Sequence, residues 1–257
     1  MITLAGKKAL VTGIANNRSI AWSIAQQLHA AGAELAVTYL PDEKGRFEGK
    51  VRELTEPLSP TIFAPLDVRN DDQINGLFDT IAEKWGSLDI LIHCLAFANR
   101  EDLSSAFTDI KREGYSLAMD VSAFSMIALC QKAAPLMAAG SSIVTLTYIG
   151  SVRVMEGYGV MGAAKAALEA NTRYLASELG LKEIRVNAVS AGPIRTLAAS
   201  AVNIHEAIHK TEEASALKRS VTQMEVANAT LFLCSDLSTA ITGQILYVDC
   251  GFSIMGG

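Results

Sequence analysis

Short aliphatic and β-branched runs alternate along this chain with longer stretches whose apolar residues recur three and four apart. The runs Lys8–Val11, Glu34–Thr38, Thr61–Ala64, Asp89–Ile92, Ser142–Leu146, Ile184–Val189 and Ile245–Val248 predict seven strands. Among the stretches between them, Ser19–Ala31 begins at a capping-type serine and ends before Gly32, while Ala163–Leu179 carries an apolar stripe broken by Glu169, Arg173 and Glu178. Strands separated by helices imply a parallel sheet, and right-handed crossovers restrict its topology. No repeat, low-complexity tract or Pro/Gly/Ser-rich linker interrupts the series. The expected fold is α/β: a single Rossmann-type doubly wound parallel sheet of about seven strands with helices on both faces, in one domain covering residues 1–257.

Composition agrees with that pattern and removes several functions. Half of the 257 residues are apolar and only 6% are aromatic, which suits parallel strands buried on both faces. A net charge of −5, from 22 basic and 27 acidic side chains, sets up no field that would attract nucleic acid or an anionic membrane. Cys94, Cys130, Cys234 and Cys250 are far apart and form no C-x-x-C pair, so they read as buried thiols rather than a disulfide framework or zinc ribbon. Met1 to Lys8 holds no signal-like region, and no stretch reaches the roughly 18 uncharged apolar residues of a membrane span. A cytoplasmic protein is expected.

Candidate chemistry collects at the carboxyl ends of the predicted strands. The first strand runs into Gly13-Ile14-Ala15-Asn16-Asn17-Arg18-Ser19-Ile20-Ala21 and then a helix. Such a turn points amide N–H groups and a helix dipole at a pyrophosphate. Only one of the usual three glycines is present, with Ser19 and Ala21 standing where later ones would be. Alone, the turn suits an ordinary βα connection equally well. Asp67-Val68 after the third strand and His93-Cys94-Leu95-Ala96-Phe97-Ala98 after the fourth extend the crevice to where adenine, ribose and nicotinamide would lie. His93 itself reads as packed structure. After the second strand comes Tyr39-Leu40, with neither an acidic residue for a ribose hydroxyl nor an immediate arginine for a 2′-phosphate; Lys44 and Arg46 lie slightly farther on. NADH is the expected cofactor, with NADPH the alternative.

The fifth strand delivers Thr145-Leu146-Thr147-Tyr148, and ten residues later Tyr158 opens a helix carrying Lys165. Seven residues are two helical turns, about 10 Å along the axis, so both side chains share one face. An ammonium near a phenol would lower its pKa and stabilise a developing oxyanion. A lysine there could also hydrogen-bond a nicotinamide ribose.

These residues carry a resemblance. The chain resembles the short-chain dehydrogenase/reductases over essentially its whole length, and more narrowly the NADH-dependent enoyl-(acyl-carrier-protein) reductases of bacterial and plastid fatty-acid synthesis. The matches are Thr12-Gly13-Ile14-Ala15 with Ser19-Ile20-Ala21, then Tyr148, Tyr158 and Lys165, then Ser190-Ala191-Gly192-Pro193-Ile194-Arg195-Thr196-Leu197-Ala198. In the wider family the tyrosine and lysine are four apart; here that position holds Met161, and the longer spacing points away from ordinary ketoreductases. The resemblance implies hydride transfer to the β-carbon of a trans-2-enoyl thioester, with Tyr158 stabilising or protonating the enolate, Lys165 positioning the cofactor and Tyr148 lining the acyl pocket. It assigns cofactor contacts to Gly13, Ser19, Ile20, Leu40, Asp67, Val68, Leu95, Lys165, Ile194, Arg195, Thr196, Leu197 and Ala198, and substrate contacts to Ala98, Tyr148 and Tyr158. It also implies a homotetramer and a segment covering the substrate at about 195–218. The chain departs from the family in Glu156-Gly157-Tyr158-Gly159, where many members have Pro-Asn-Tyr-Asn, and in Leu40, where Gln is frequent.

Other readings compete. His205-Glu206-Ala207-Ile208-His209 spells the H-E-x-x-H of zinc proteases, but a metallohydrolase leaves the crevice and the Tyr/Lys pair unexplained. A non-catalytic NAD sensor would not need that pair. A 3-ketoacyl or other carbonyl reductase is the alternative among enzymes. An acidic acyl carrier protein bearing the enoyl substrate would need a local basic patch, for which Arg195, Lys210, Lys218 and Arg219 are the candidates.

Overall fold

In chain order the structure, a computed structural model, contains β1 (Lys8–Val11), α1 (Ile20–Ala30), β2 (Glu34–Tyr39), α2 (Arg46–Thr55), β3 (Ile62–Pro65), α3 (Asp71–Trp85), β4 (Ile90–His93), α4 (Arg100–Ser104), α5 (Arg112–Met119), α6 (Ser125–Ala133), β5 (Ser142–Thr147), α7 (Gly159–Leu179), β6 (Arg185–Ala191), α8 (Ile204–Ala214), α9 (Gln223–Cys234) and β7 (Ile245–Val248). It describes residues 2–194 and 204–256, and for 204–207 the backbone alone. The seven expected strands are the seven observed, with ends differing by at most two residues.

All seven strands are parallel, in the order β3-β2-β1-β4-β5-β6-β7. Val11 pairs with Val37 on one side and Ile92 on the other, which makes β1 the centre of the reversal in strand order. Connections from β1 and β4 leave in opposite directions there and open a crevice at the carboxyl edge.

Period-two alternation divides the strand residues between two cores. Leu10, Ala36, Leu91 and Ile143 pack with Ile74 and Ile81 of α3, Leu129 of α6 and Leu168 of α7. Their neighbours Ala9, Val11, Val37, Ile92 and Val144 pack on the opposite side with Ile24 and Leu28 of α1 and Val226 of α9. Each fully buried Leu or Ile stabilises the sheet by roughly 1.5–3 kcal/mol, so the edge that carries the loops is held from both faces. The helical run Arg112–Leu136 is long and apolar enough to cross a membrane by length and composition, although Arg112, Glu113, Asp120 and Lys132 leave it without 18 consecutive uncharged residues; half of its most apolar 18 residues are buried inside the fold. Its apolarity is explained by core packing. Within it, a π-helical turn at Asp120–Phe124 joins α5 to α6, and the carbonyl of Ala123 accepts from the Asn171 amide of α7.

Candidate active site

The Gly13 loop leaves β1 with φ +86° at Gly13, and a Cβ there would lie 2.0 Å from the carbonyl oxygen of Cys94. The first βα turn therefore touches the end of β4, and only glycine fits. A single glycine sufficed because the other constraints of the turn are met by side chains. Ser19 was expected to cap α1, but its hydroxyl makes no helix-capping bond. It accepts instead from the amides of Ala15 (3.1 Å) and Asn16 (3.2 Å), folding the loop on itself, while the side chain of Asn16 accepts from the Arg18 amide at 2.8 Å. The leading amides of α1, at Ile20 and Ala21, have no carbonyl within the helix and face the edge where an anion would sit.

The other strand ends complete the crevice. Leu40 follows β2 and is 52% exposed. Asp67 follows β3, but its carboxylate is taken by Arg69 in a bidentate pair at 2.6 and 3.0 Å, which holds it below the usual carboxylate range. Its backbone is engaged as well: the amide donates to Gln73 Oε1 at 2.7 Å and the carbonyl accepts from the Asn70 amide at 3.0 Å. Val68 is buried, Leu95 packs against the first core, Ala98 joins a small cluster with Val160, Met161 and Tyr158, and Ile194 packs on the second core. Arg195, Thr196, Leu197 and Ala198 lie outside the described residues.

His93, at the end of β4, is fully buried, with Nδ1 2.8 Å from Thr145 Oγ1 and Nε2 2.8 Å from Ser125 Oγ. Burial, reinforced by the Lys165 charge, pushes its pKa down to about 3. It is neutral structure, as expected.

Tyr148 and Tyr158 meet edge to face, their ring centroids 4.9 Å apart with 74° between planes. Tyr148 leaves β5 into a tight 3-10 turn, Ile149–Ser151, and Tyr158 caps α7. Gly150, in that turn, allows the pairing: a Cβ would come within 2.5 Å of the Tyr158 ring and 3.2 Å of the Tyr148 ring. Burial pushes the Tyr148 phenol up to about 12 and that of Tyr158 higher still, with Tyr148 adding to the latter. The expectation that Lys165 would lower the Tyr158 pKa is thus corrected. The lysine ammonium donates instead to the carbonyl of Leu146 at 2.7 Å, and desolvation of the phenol sets the direction. Lys165 itself is 5% exposed, and burial holds its pKa down to about 8.

One turn beyond Lys165, Glu169 is buried and accepts from the hydroxyls of Thr147 (2.7 Å) and Ser151 (2.5 Å). Sequence reasoning saw it only as a break in an apolar stripe, and missed Gly150 altogether. The signal available was a carboxylate at i+4 from the lysine, on the same helical face.

Of the three described members of the candidate basic patch, two are paired with carboxylates. Lys210 lies 3.8 Å from Glu156, Lys218 donates to the Glu213 carbonyl at 2.6 Å, and Arg219 clasps Glu225 at 2.6 and 3.0 Å. Of the H-E-x-x-H histidines, only the side chain of His209 is described; it is exposed and 3.5 Å from Glu213. Among the described residues no three His, Cys, Asp or Glu side chains stand close enough to hold a metal.

Comparison with known proteins gives one consistent answer. The family model "Enoyl-(Acyl carrier protein) reductase" matches residues 13–253. NADH enoyl-(acyl-carrier-protein) reductases from Nostoc sp. and Synechocystis sp. are 63% and 62% identical to the chain over the full length of both partners. The crystal structure of an enoyl-(acyl-carrier-protein) reductase (NADH) from Aquifex aeolicus superposes with TM-score 0.95 at 42% identity, covering 99% of each chain. A Bacillus cereus enoyl-acyl-carrier-protein reductase, solved with NADP+ and an indole naphthyridinone, gives 0.95 at 46% identity over 100% of both.

Proposed function

The chain belongs to the enoyl-(acyl carrier protein) reductase family, and from that premise we propose that Tyr158, Lys165 and Tyr148 carry its reaction, with the cofactor along the Gly13 loop and the ends of β2 to β6. The protein is an NADH-dependent oxidoreductase that reduces trans-2-enoyl thioesters, linked to acyl carrier protein, to saturated acyl thioesters in fatty-acid elongation. The observation that carries the site assignment is the Tyr148–Tyr158 pair beside a buried Lys165 at the reversal of strand order.

The residues present fit a dinucleotide. Gly13 lets the first turn close onto the end of β4 with no side chain in the way, and the leading α1 amides and the segment after Asp67 lie at the same carboxyl edge of the sheet. Gly13, Ser19, Ile20, Leu40, Asp67, Val68, Leu95 and Ile194 would hold NADH, together with Arg195, Thr196, Leu197 and Ala198. When bound, NADH supplies the hydride that adds to the β-carbon of the substrate.

The chain's own residues handle the charge that then develops on the thioester oxygen. With its pKa raised by burial, Tyr158 stays protonated across the working pH range, so it acts as a hydrogen-bond donor to that oxygen and as the proton reserve for the enolate. Tyr148 orients the Tyr158 ring edge to face and walls the acyl side with Ala98. Lys165, still largely cationic at neutral pH, adds positive potential and a donor for the nicotinamide ribose.

The reading extends to assembly. A homotetramer in the cytoplasm is part of the proposal, supported by large apolar side chains at the surface: Val154, Leu181, Tyr174 and Ile254 are each more than three-quarters exposed. Light scattering at a mass of four chains supports it, and a monomer rejects it. For the chemistry, crotonyl and acetoacetyl thioesters are compared with NADH and NADPH in parallel. Crotonyl reduction with NADH should dominate, and Tyr158→Phe should lose about 10²–10⁴-fold in kcat. A preference for the acetoacetyl thioester would replace this reading with a carbonyl reductase.

A further inference from the structure

Glu169 is a buried carboxylate to which the mechanism above gives no work. Its Oε1 gathers two hydroxyl donors from different elements, Thr147 at the end of β5 and Ser151 in the following 3-10 turn. Between those two donors lies Tyr148, whose ring abuts Tyr158. On α7, Glu169 sits four residues after Lys165, and those two side chains hold consecutive residues of β5: Lys165 the carbonyl of Leu146, Glu169 the hydroxyl of Thr147. Neighbours at i and i+4 have Cβ atoms roughly 6 Å apart.

We propose that Glu169 is a positioning residue for the reaction: it fastens the Tyr148-bearing turn to α7 so that Tyr148 and Tyr158 keep their edge-to-face arrangement. The proposal rests on the assignment of Tyr158 and Lys165 made above.

Two substitutions of Glu169 test the fastening. Glu169→Ala removes it and should lower kcat about ten- to a hundredfold per NADH-binding site. Glu169→Gln keeps an oxygen that can accept from both hydroxyls and should recover most of that loss. Ser151→Ala, which deletes one donor at a half-buried position, should lower kcat in the same direction, and it serves where Glu169→Ala fails to fold. A Glu169→Gln enzyme no faster than Glu169→Ala, or an unchanged kcat in Ser151→Ala, overturns the proposal. Parent turnover of crotonyl thioester, and its loss in Tyr158→Phe, test the underlying assignment separately.

Discussion

Replacing Gly13 by alanine should disable cofactor binding at a predictable cost. The added methyl would stand 2.0 Å from the carbonyl oxygen of Cys94 and 2.8 Å from its carbon. Ordinary C···O contacts are about 3.3 Å or longer, so loop and strand end must part by roughly 1 Å. Neither is a flexible tip: β4 is paired on both sides and the loop is tied by Ser19. Alanine at φ +86° adds the left-handed penalty of about 1–2 kcal/mol. Together these give about 2–4 kcal/mol of lost stability, which for a domain of this size lowers Tm by roughly 5–15 °C. Any residual displacement moves the α1 amides away from a pyrophosphate, and losing more than about 1.4 kcal/mol of contact raises the NADH Kd at least tenfold. Thermal unfolding and an NADH fluorescence titration read both effects. If the variant melts within about 1 °C of the parent and binds NADH within about twofold, the account of the loop is wrong.

Other consequences follow from the same geometry. Gly76 lies exposed in the interior of α3 with nothing within 4 Å of an added Cβ, so Gly76→Ala should raise stability by about 0.5–1 kcal/mol and Tm by a few degrees, with kcat unchanged. Lys165 is held down to about 8 from its ordinary 10.5. Its burial costs stability while it is protonated, so that cost is relieved as pH rises from about 8 toward 10.5 and this group's contribution to stability increases there. Activity that needs the ammonium should already be half lost near pH 8, where the folded group titrates, and Lys165→Met, assayed for stability against pH, should lose the rise. Thr222→Ala breaks the capping box of α9 with Glu225 and should cost about 1 kcal/mol by denaturant titration, with kcat intact. Because Arg219 is committed to Glu225, Arg219→Glu should lower stability and act alike on carrier-linked and coenzyme A-linked substrates; a selective loss with the carrier would restore Arg219 to a docking role.

The sheet was legible because its signal is local. Seven β-branched or aliphatic runs, the five inner ones largely buried, announce parallel strands in the sequence itself, and their alternation with helices leaves little freedom of topology. The Tyr158–Lys165 spacing was legible for the same reason, two turns of one helix. What escaped depended on distant parts of the chain. Gly150 matters only because two aromatic rings, one following β5 and one opening α7, close over it. Glu169 reads as a polar interruption until Thr147 and Ser151 are brought to it across 22 and 18 residues. The direction of the Tyr158 pKa was misjudged because a sequence shows a cation two turns along the helix but neither the burial of the phenol nor the backbone carbonyl that takes the ammonium. Ser19 resembled a helix cap, whereas the turn before it, not the helix after it, uses its hydroxyl.

The proposed role of Tyr158 and Lys165 in hydride addition to an enoyl β-carbon is open to a labelling experiment: NADH deuterated at the transferable position of its nicotinamide ring, crotonyl thioester as acceptor, and NMR of the product. Butyryl thioester with a single deuterium on the β-carbon is expected from the parent and should be nearly abolished in Tyr158→Phe. Deuterium on the α-carbon, or label incorporation undiminished in Tyr158→Phe, would contradict it.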